Sequence, residues 1–361
     1  MLAAGGTGGH LFPAFALAEE LKRRGIVVDL ITDLRGDRYG DDFPAREVYR
    51  VPSATLAAKT PLAAAKTTWT LSRGLAHAMG VMRRVKPQAV IGFGGYPTFP
   101  PLLAAKLSGI PTGLHEQNAV LGRANRMLAR RVNAIATSFE RTSLLNGNMI
   151  GKARYTGNPV RDIVIAASAR PFNVPRPGDR FELLVFGGSQ GARFFADAVP
   201  PAIVSLADDV RGRIHVTQQA RDEDLARVRD AYGAAGITAT VEPFFKDLPE
   251  RMAAAHLVIG RAGASTVAEL TVIGRPSILV PLPHALDNDQ LQNATRLAEA
   301  GGGWAIAQRD LSVERLRGEI ERLARDQAAL EVAAQAAKSQ GRPDAVIRLA
   351  DLAEDLMLRR A

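Results

Sequence analysis

Cysteine is absent from this 361-residue sequence. That excludes a disulfide framework and any thiolate-ligated metal, and it fits a reducing compartment. Acidic residues are in deficit, 37 against 46 basic ones, leaving a formal charge of +9. Such a balance favours anionic partners: nucleic acid, anionic lipid or a phosphorylated substrate. No run approaches the roughly 20 consecutive apolar residues that a membrane-spanning helix needs. Nor does the chain open on a basic-then-apolar leader. The expectation is a soluble, cytoplasmic chain that is still able to lie on a membrane surface.

Apolar β-rich runs alternate with amphipathic stretches throughout. Residues 27–31, 89–92 and 134–136 read as strands in the first half, and 183–186, 213–216, 257–259 and 277–280 in the second. Helical spacing appears over 15–24 and 225–234. This alternation predicts parallel sheets covered on both faces. The pattern restarts: Gly5-Gly6-Thr7-Gly8-Gly9 and Gly187-Gly188-Ser189-Gln190-Gly191 each follow a strand and precede a helix. The Pro-rich charged stretch 170–180 reads as a linker entering a second domain. The result is an α/β chain of two Rossmann-like domains facing a cleft, with ligands at the carboxyl ends of the strands. Met1-Leu2-Ala3-Ala4 is short for a buried strand, so the natural first strand is expected to begin a few residues earlier. Ala345, Leu349, Leu352 and Leu356 give a terminal helix near Pro343-Asp344 with one buried face.

Several turns carry polar groups suited to chemistry, each with a plainer alternative. His10 follows the first glycine cluster at a helix start, where an imidazole can act as general base; a tight turn is the alternative. Phe93-Gly94-Gly95-Tyr96-Pro97 is a second such turn. His115-Glu116-Gln117-Asn118 closes the expected strand at 110–114, and a solvated loop is the competing reading. Arg161, in Gly157-Asn158-Pro159-Val160-Arg161, is suited to a phosphate or carboxylate, or is a surface arginine. Gly187 to Gly191 offers backbone donors and the Ser189 hydroxyl to a pyrophosphate. Gly263-Ala264-Ser265-Thr266-Val267-Ala268-Glu269 opens a helix towards an anion, but Thr266-x-x-Glu269 also fits a capping box. Asp289-Gln290-x-Gln292-Asn293 suits a sugar or base, or caps a helix. No nucleophilic triad and no metal-ligand spacing is apparent, and Gly-Gly-x-x-Gly fits the dinucleotide fingerprint poorly. Between residues 56 and 86, Lys59, Lys66, Arg73, Arg83, Arg84 and Lys86 are interleaved with Leu62, Trp69, Leu71, Leu75 and Met79. Cations around apolar side chains describe a patch for anionic lipid, unless the apolar members face the core.

Taken together and in order, Gly5 to His10 with Pro13, Gly94-Gly95-Tyr96, His115 to Asn118, Gly157 to Arg161, Gly187 to Ala192, Arg261 to Glu269 and Asp289-Gln290 to Asn293-Ala294 resemble one family. It is the MurG-type UDP-N-acetylglucosamine:undecaprenyl-pyrophosphoryl-N-acetylmuramoyl-pentapeptide transferases. The resemblance covers nearly the whole chain. It implies the two-domain glycosyltransferase B fold, divided into 1–161 and 162–340, with a helix at about 341–361 packing back on the first domain. It also implies inverting transfer of N-acetylglucosamine to the 4-hydroxyl of the lipid-linked muramoyl sugar, in peptidoglycan synthesis, without metal or cofactor.

By this resemblance the first domain binds the acceptor and faces the membrane, and the second holds the UDP-sugar. Ser189 would touch the diphosphate. Ala264, Ser265, Thr266, Val267, Ala268 and Glu269 would hold nucleotide and ribose, with Phe245 beside the uracil and Gln290 near the donor sugar. Thr7, Gly8, Gly9, Asn118 and Arg161 would reach the donor from the first domain. His10, Tyr96 and Glu116 would line the acceptor side, with His10 favoured as base and Glu116 as rival or orienting partner. Implied partners are UDP-N-acetylglucosamine, the undecaprenyl-linked muramoyl-pentapeptide, an anionic membrane surface and other cell-wall synthesis proteins, but no nucleic acid. The implied place is the cytoplasmic face of the inner membrane, as a peripheral protein. Ala262 departs from the serine of many relatives. Competing readings are another UDP-sugar enzyme of this fold, such as an epimerase or a diacylglycerol glycosyltransferase, and a catalytically silent membrane scaffold.

Overall fold

A computed structural model describes residues 1–5, 8–33, 43–54, 60–188, 192–283, 285 and 287–359, with only the backbone of 61–64. The chain forms two compact units, Met1–Arg161 with Arg342–Ala361, and Asp162–Gly341. Each is built on one sheet whose pairings are all parallel among the described residues.

In the first unit the strands are β1 (Leu2–Ala3), β2 (Leu30–Thr32), β3 (Val48–Arg50), β4 (Val90–Gly92), β5 (Thr112–Glu116), β6 (Ala134–Thr137) and β7 (Ala153–Tyr155). Their order is β3-β2-β1-β4-β5-β6-β7. Side chains alternate between the two faces, as the two-residue period of a strand requires. Leu2, Leu30 and Ile91 enter one apolar cluster, and Ala3, Ile31 and Val90 enter the other. Both faces are therefore buried, which is why these strands read as continuous apolar runs. The helix Gly8–Arg23 extends the amphipathic stretch expected at 15–24 back to the glycine cluster, and His10 lies at its start as the sequence suggested. The terminal helix Ala345–Leu358 buries Ala345, Leu349, Leu352 and Leu356 and packs on the Gly8–Arg23 helix and on β5 and β6 of this unit. Gly113 admits it: a Cβ there would stand 2.9 Å from Leu356 Cδ1.

The second unit holds β8 (Phe181–Phe186), β9 (Ile214–Gln219), β10 (Thr238–Glu242), β11 (Leu257–Gly260), β12 (Ser277–Leu279) and β13 (Gly303–Ala305), in the order β10-β9-β8-β11-β12-β13. The stretch 170–180 is not an entry linker. It lies inside this unit, where the buried Arg275 guanidinium donates to the Arg170 and Pro171 carbonyls and stacks on Phe172 at 5.5 Å. Prolines make it aperiodic, but its start is tied down by one Arg275 nitrogen, while the other N–H groups of that guanidinium hold the Ala253, Ile273 and Gly274 carbonyls.

The basic-apolar stretch divides. Its helix, Pro61–Val85, presents Lys66, Trp69, Arg73, Arg83 and Arg84 to solvent, with Trp69 67% exposed, and Lys86 follows it, also exposed. Leu75 and Met79 instead pack against the core, and Leu71 is half-buried. Lys59 and the Leu62 side chain lie outside the described residues. Among the described residues no helix is long and apolar enough to cross a membrane.

Candidate active site

Open parallel sheets bind ligands where the strand order reverses, because the loops leaving the two neighbouring strands turn to opposite faces. In the first unit that point lies between β1 and β4. The chain leaving β1 enters the Gly8–Arg23 helix and supplies His10. The chain leaving β4 supplies Gly94 and Gly95, with φ of 82° and 77°. The imidazole rests on this second turn. A Cβ on Gly94 would stand 3.4 Å from His10 Cε1, and one on Gly95 3.3 Å from His10 Nε2. Glycine is needed twice over here, for the positive φ and for the close approach. Tyr96 follows at the start of a 3-10 turn, half-buried.

The neighbouring strand β5 brings the polar tetrad. His115 and Gln117 share one side of the chain, and Glu116 takes the other. His10 Nδ1 lies 3.1 Å from Gln117 Oε1. Gln117 Nε2 donates to His115 Nδ1 and to the His115 carbonyl, both at 3.0 Å. His115 Nε2 lies 3.1 Å from the Gly157 carbonyl. His115 is fully buried, and desolvation lowers its pKa from 6.5 to about 4, against the Gly157 hydrogen bond, which raises it. The unfolded chain takes up a proton near pH 6.5 that the folded one refuses until about pH 4. Stability is therefore present in full above pH 6.5 and is lost as pH falls towards 4. A series of urea unfolding midpoints across that window is expected to fall on acidification, and a flat series would contradict the buried neutral imidazole. His256 of the second unit, lowered to about 4 chiefly by burial, adds in the same direction.

Glu116 is 1% exposed and its carboxylate is saturated. Oε1 accepts from the Asn118 backbone N–H at 3.0 Å and from Asn118 Nδ2 at 3.3 Å. Oε2 accepts from the Gly122 N–H at 2.8 Å and Asn125 Nδ2 at 2.7 Å. Burial pushes its pKa up, while these N–H groups hold it down. The arrangement makes Glu116 the anchor of the loop 117–122, on which Gln117 and Asn118 sit.

Of the remaining first-unit residues, Arg161 lies against the same helix. Arg161 stacks its guanidinium on Phe12 at 4.5 Å, and the same Phe12 ring lies 3.2 Å from where a Cβ on Gly8 would stand. Gly9 is exposed and Asn118 half-buried. Asn158, beside Gly157, is buried with neither amide atom hydrogen-bonded. A buried amide left so suits a hydroxyl or phosphate oxygen of a ligand. Thr7 lies outside the described residues.

The second unit repeats the plan at the reversal between β8 and β11. Gly187 N–H donates to Gln219 Oε1 at 3.0 Å, and Gly188 takes a φ of 86°. Ser189 lies outside the described residues. Beyond β11, the helix Ala264–Ile273 begins with Gly263 as its N-cap and no side-chain capping bond. Thr266 is thus the third helical residue, and the capping-box alternative fails. The chain reaches the helix within four residues of the strand, so the cap falls at Gly263 and not at Thr266. Ala264, Ser265, Thr266 and Ala268 are half-buried around this start, while Val267 and Glu269 are buried. Ser265 Oγ is buried without a hydrogen-bond partner.

Arg261 braces the turn before that helix. It donates to the Val280 and Pro281 carbonyls at 3.1 and 3.2 Å and to Gln308 Oε1 at 2.7 Å. Asn293 Nδ2 holds the Ala262 carbonyl at 3.0 Å, and Gln290 Oε1 accepts from the Leu282 N–H at 3.0 Å. Phe245 is 6% exposed with Arg251 over its ring at 4.6 Å, whereas its neighbour Phe244 is 58% exposed. His284 and Leu286 lie outside the described residues.

Reading the sequence singled out the tetrad but gave the site roles to Glu116 and Asn118. His115 and Gln117 reach His10's side because alternation along the strand puts 115 and 117 together, a signal the sequence did contain. Asn125 sits in the helix Arg123–Ala129 and left no local signal.

Two doubly wound α/β units, each with a glycine turn and a helix start at its reversal point, define the glycosyltransferase B class of fold. Residues 1–137 match the glycosyltransferase family 28 N-terminal domain, and 182–349 the glycosyltransferase family 28 C-terminal domain. A relative from Brucella abortus (strain S19) is 54% identical over 98% of this chain and 93% of its own length. It is named UDP-N-acetylglucosamine–N-acetylmuramyl-(pentapeptide) pyrophosphoryl-undecaprenol N-acetylglucosamine transferase. The crystal structure of Acinetobacter baumannii MurG matches with a TM-score of 0.79 and 29% identity, over 98% of both chains. A UDP-GlcNAc 2-epimerase from Neisseria meningitidis, bound to UDP-GlcNAc, shares the fold at TM-score 0.68 and 13% identity, over 99% of both chains. The chain belongs to glycosyltransferase family 28, with the MurG-type transferases, and is a glycosyltransferase.

Proposed function

We propose that this chain transfers N-acetylglucosamine, with inversion, from UDP-N-acetylglucosamine to the 4-hydroxyl of undecaprenyl-pyrophosphoryl-N-acetylmuramoyl-pentapeptide, completing the disaccharide of the peptidoglycan precursor. The observation that carries the reading is the 54% identity, over almost the whole chain, to a relative named for that reaction. The geometry of His10 supports the chemistry. Inversion is a single displacement. The acceptor oxygen attacks the anomeric carbon, the bond to UDP breaks, and His10 Nε2 takes the hydroxyl proton. Tyr96 lies beside it on the acceptor side. Gly8, Gly9, Thr7, Asn118 and Arg161 complete the substrate-binding set of the first unit.

The second unit holds the donor. Charge developing on the departing pyrophosphate meets the N–H groups opening the Ala264–Ile273 helix and the Gly187-Gly188-Ser189 turn, with no metal required. Glu269 takes the ribose hydroxyls, Ala264 to Ala268 line the nucleotide, and Gln290 borders the sugar. Phe245 bounds the uracil pocket from within the core. The enzyme works at the cytoplasmic face of the inner membrane, where Lys66, Trp69, Arg73, Arg83 and Arg84 on the Pro61–Val85 helix meet anionic lipid, and where other cell-wall synthesis proteins are its neighbours.

The test is transfer of radiolabelled sugar from UDP-N-acetylglucosamine to purified muramoyl lipid in the presence of a chelator. Labelled disaccharide lipid is the expected product. Transfer to diacylglycerol instead, or conversion of the free UDP-sugar to its 2-epimer, overturns the reading.

A further inference from the structure

Two backbone carbonyls fix the protons of a side-chain chain that ends at His10. The Gly157 carbonyl can only accept, so His115 Nε2, 3.1 Å away, must carry a hydrogen. His115 is buried and neutral, so its Nδ1 is the bare nitrogen and accepts from Gln117. The His115 carbonyl, 3.0 Å from Gln117 Nε2, likewise can only accept. A flipped amide would set Gln117 Oε1 against that carbonyl oxygen and against the lone pair of His115 Nδ1, so the flip is excluded without reference to His10. Gln117 Oε1 therefore faces His10 Nδ1 at 3.1 Å and demands a hydrogen from it. A neutral imidazole with its hydrogen on Nδ1 carries its lone pair on Nε2, the atom turned to Gly95.

We infer that Gln117 and His115 are positioning residues which, anchored on the Gly157 and His115 carbonyls, hold His10 in the Nδ1–H form with the basic lone pair on Nε2. The inference rests on His10 being the base of the proposed reaction. It adds that the group orienting the base at Nδ1 is an uncharged amide. A neutral amide at Nδ1 orients the ring without placing a negative charge beside it. The acceptor and the departing pyrophosphate are both anionic, so a neutral orienter adds no repulsion where they bind. The relay also explains why Glu116, on the opposite side of the strand, is spent on its loop.

The relay is read directly by long-range proton–nitrogen correlation spectra of the full chain labelled with 15N-histidine, assigned through H10A and H115Q. The expected spectrum shows His10 with a protonated Nδ1 and a bare Nε2, and His115 the other way round. His10 protonated on Nε2, or populating both forms, overturns the inference. Q117L removes the relay while filling similar space. It is expected to lower kcat about 10–100-fold, with both KM values within about twofold of wild type and His10 now showing mixed tautomers. Unchanged kcat with an unchanged His10 spectrum also overturns it. The wild-type spectrum needs no variant to fold. It separates the two readings, since turnover surviving H10A strikes the assignment of the base and leaves the tautomer result standing.

Discussion

Replacing His10 with alanine is expected to lower kcat by about 10²–10⁴-fold, the range that a positioned general base contributes. The dissociation constant for UDP-N-acetylglucosamine should stay within a few-fold of wild type. In the proposed reaction the donor's contacts fall mainly to the second unit and the imidazole acts on the acceptor hydroxyl. Its ring is held on three sides, by Gly94, Gly95 and the Gln117 amide. Alanine in its place removes the proton acceptor without disturbing those supports. Single-turnover rates with saturating substrates, beside calorimetric binding of the nucleotide sugar, make the comparison. A variant that binds donor normally and keeps wild-type kcat would remove His10 from the mechanism.

Replacing Glu116 with leucine is expected to act on stability first. Four N–H groups, from the half-buried Asn118 and Gly122 and the buried Asn125, lose their acceptor. At about 1 kcal/mol for each orphaned donor, the low end of the usual range, the loss is about 4 kcal/mol. Relief of the carboxylate's own desolvation, visible in its raised pKa, returns part of this. A net loss of about 3 kcal/mol lowers the Tm of a domain this size by about 6–12 °C. Scanning calorimetry measures it. The outcome tests the anchoring role. A loop anchor loses stability and carries kcat down with it as Gln117 shifts, whereas an unchanged Tm would contradict the anchoring role.

The legible parts of the fold were those with a local period. Residues 225–234 read as a helix and form Leu225–Ala234. The buried central strands β4, β6, β8, β11 and β12 each fall within a residue or two of their apolar runs. The strands that left no signal were β3, β7, β10 and β13, all at or near sheet edges and partly exposed, with burial that follows no apolar run. An edge strand is specified by the neighbour it pairs with, and that neighbour lies outside any local window. The capping box failed for a related reason. The helix start was set by how few residues separate β11 from the Ala264–Ile273 helix, a property of the packed sheet.

The sequence by itself determined that this is a two-sheet α/β enzyme with glycine turns after its first strands, and through its ordered motifs it determined the family. Those properties reside in short windows, where periodicity, glycine and polar clusters act on near neighbours. Which residue of His115-Glu116-Gln117-Asn118 serves His10 was decided only by the tertiary structure. Residues 10, 94–95, 117 and 157 are far apart in the chain and meet because β1, β4, β5, β6 and β7 are successive neighbours in one sheet. The parallel register then presents all their carboxyl ends at one edge. The proton we assign to His10 Nδ1 rests on two carbonyls at that edge, and only packing could bring them there.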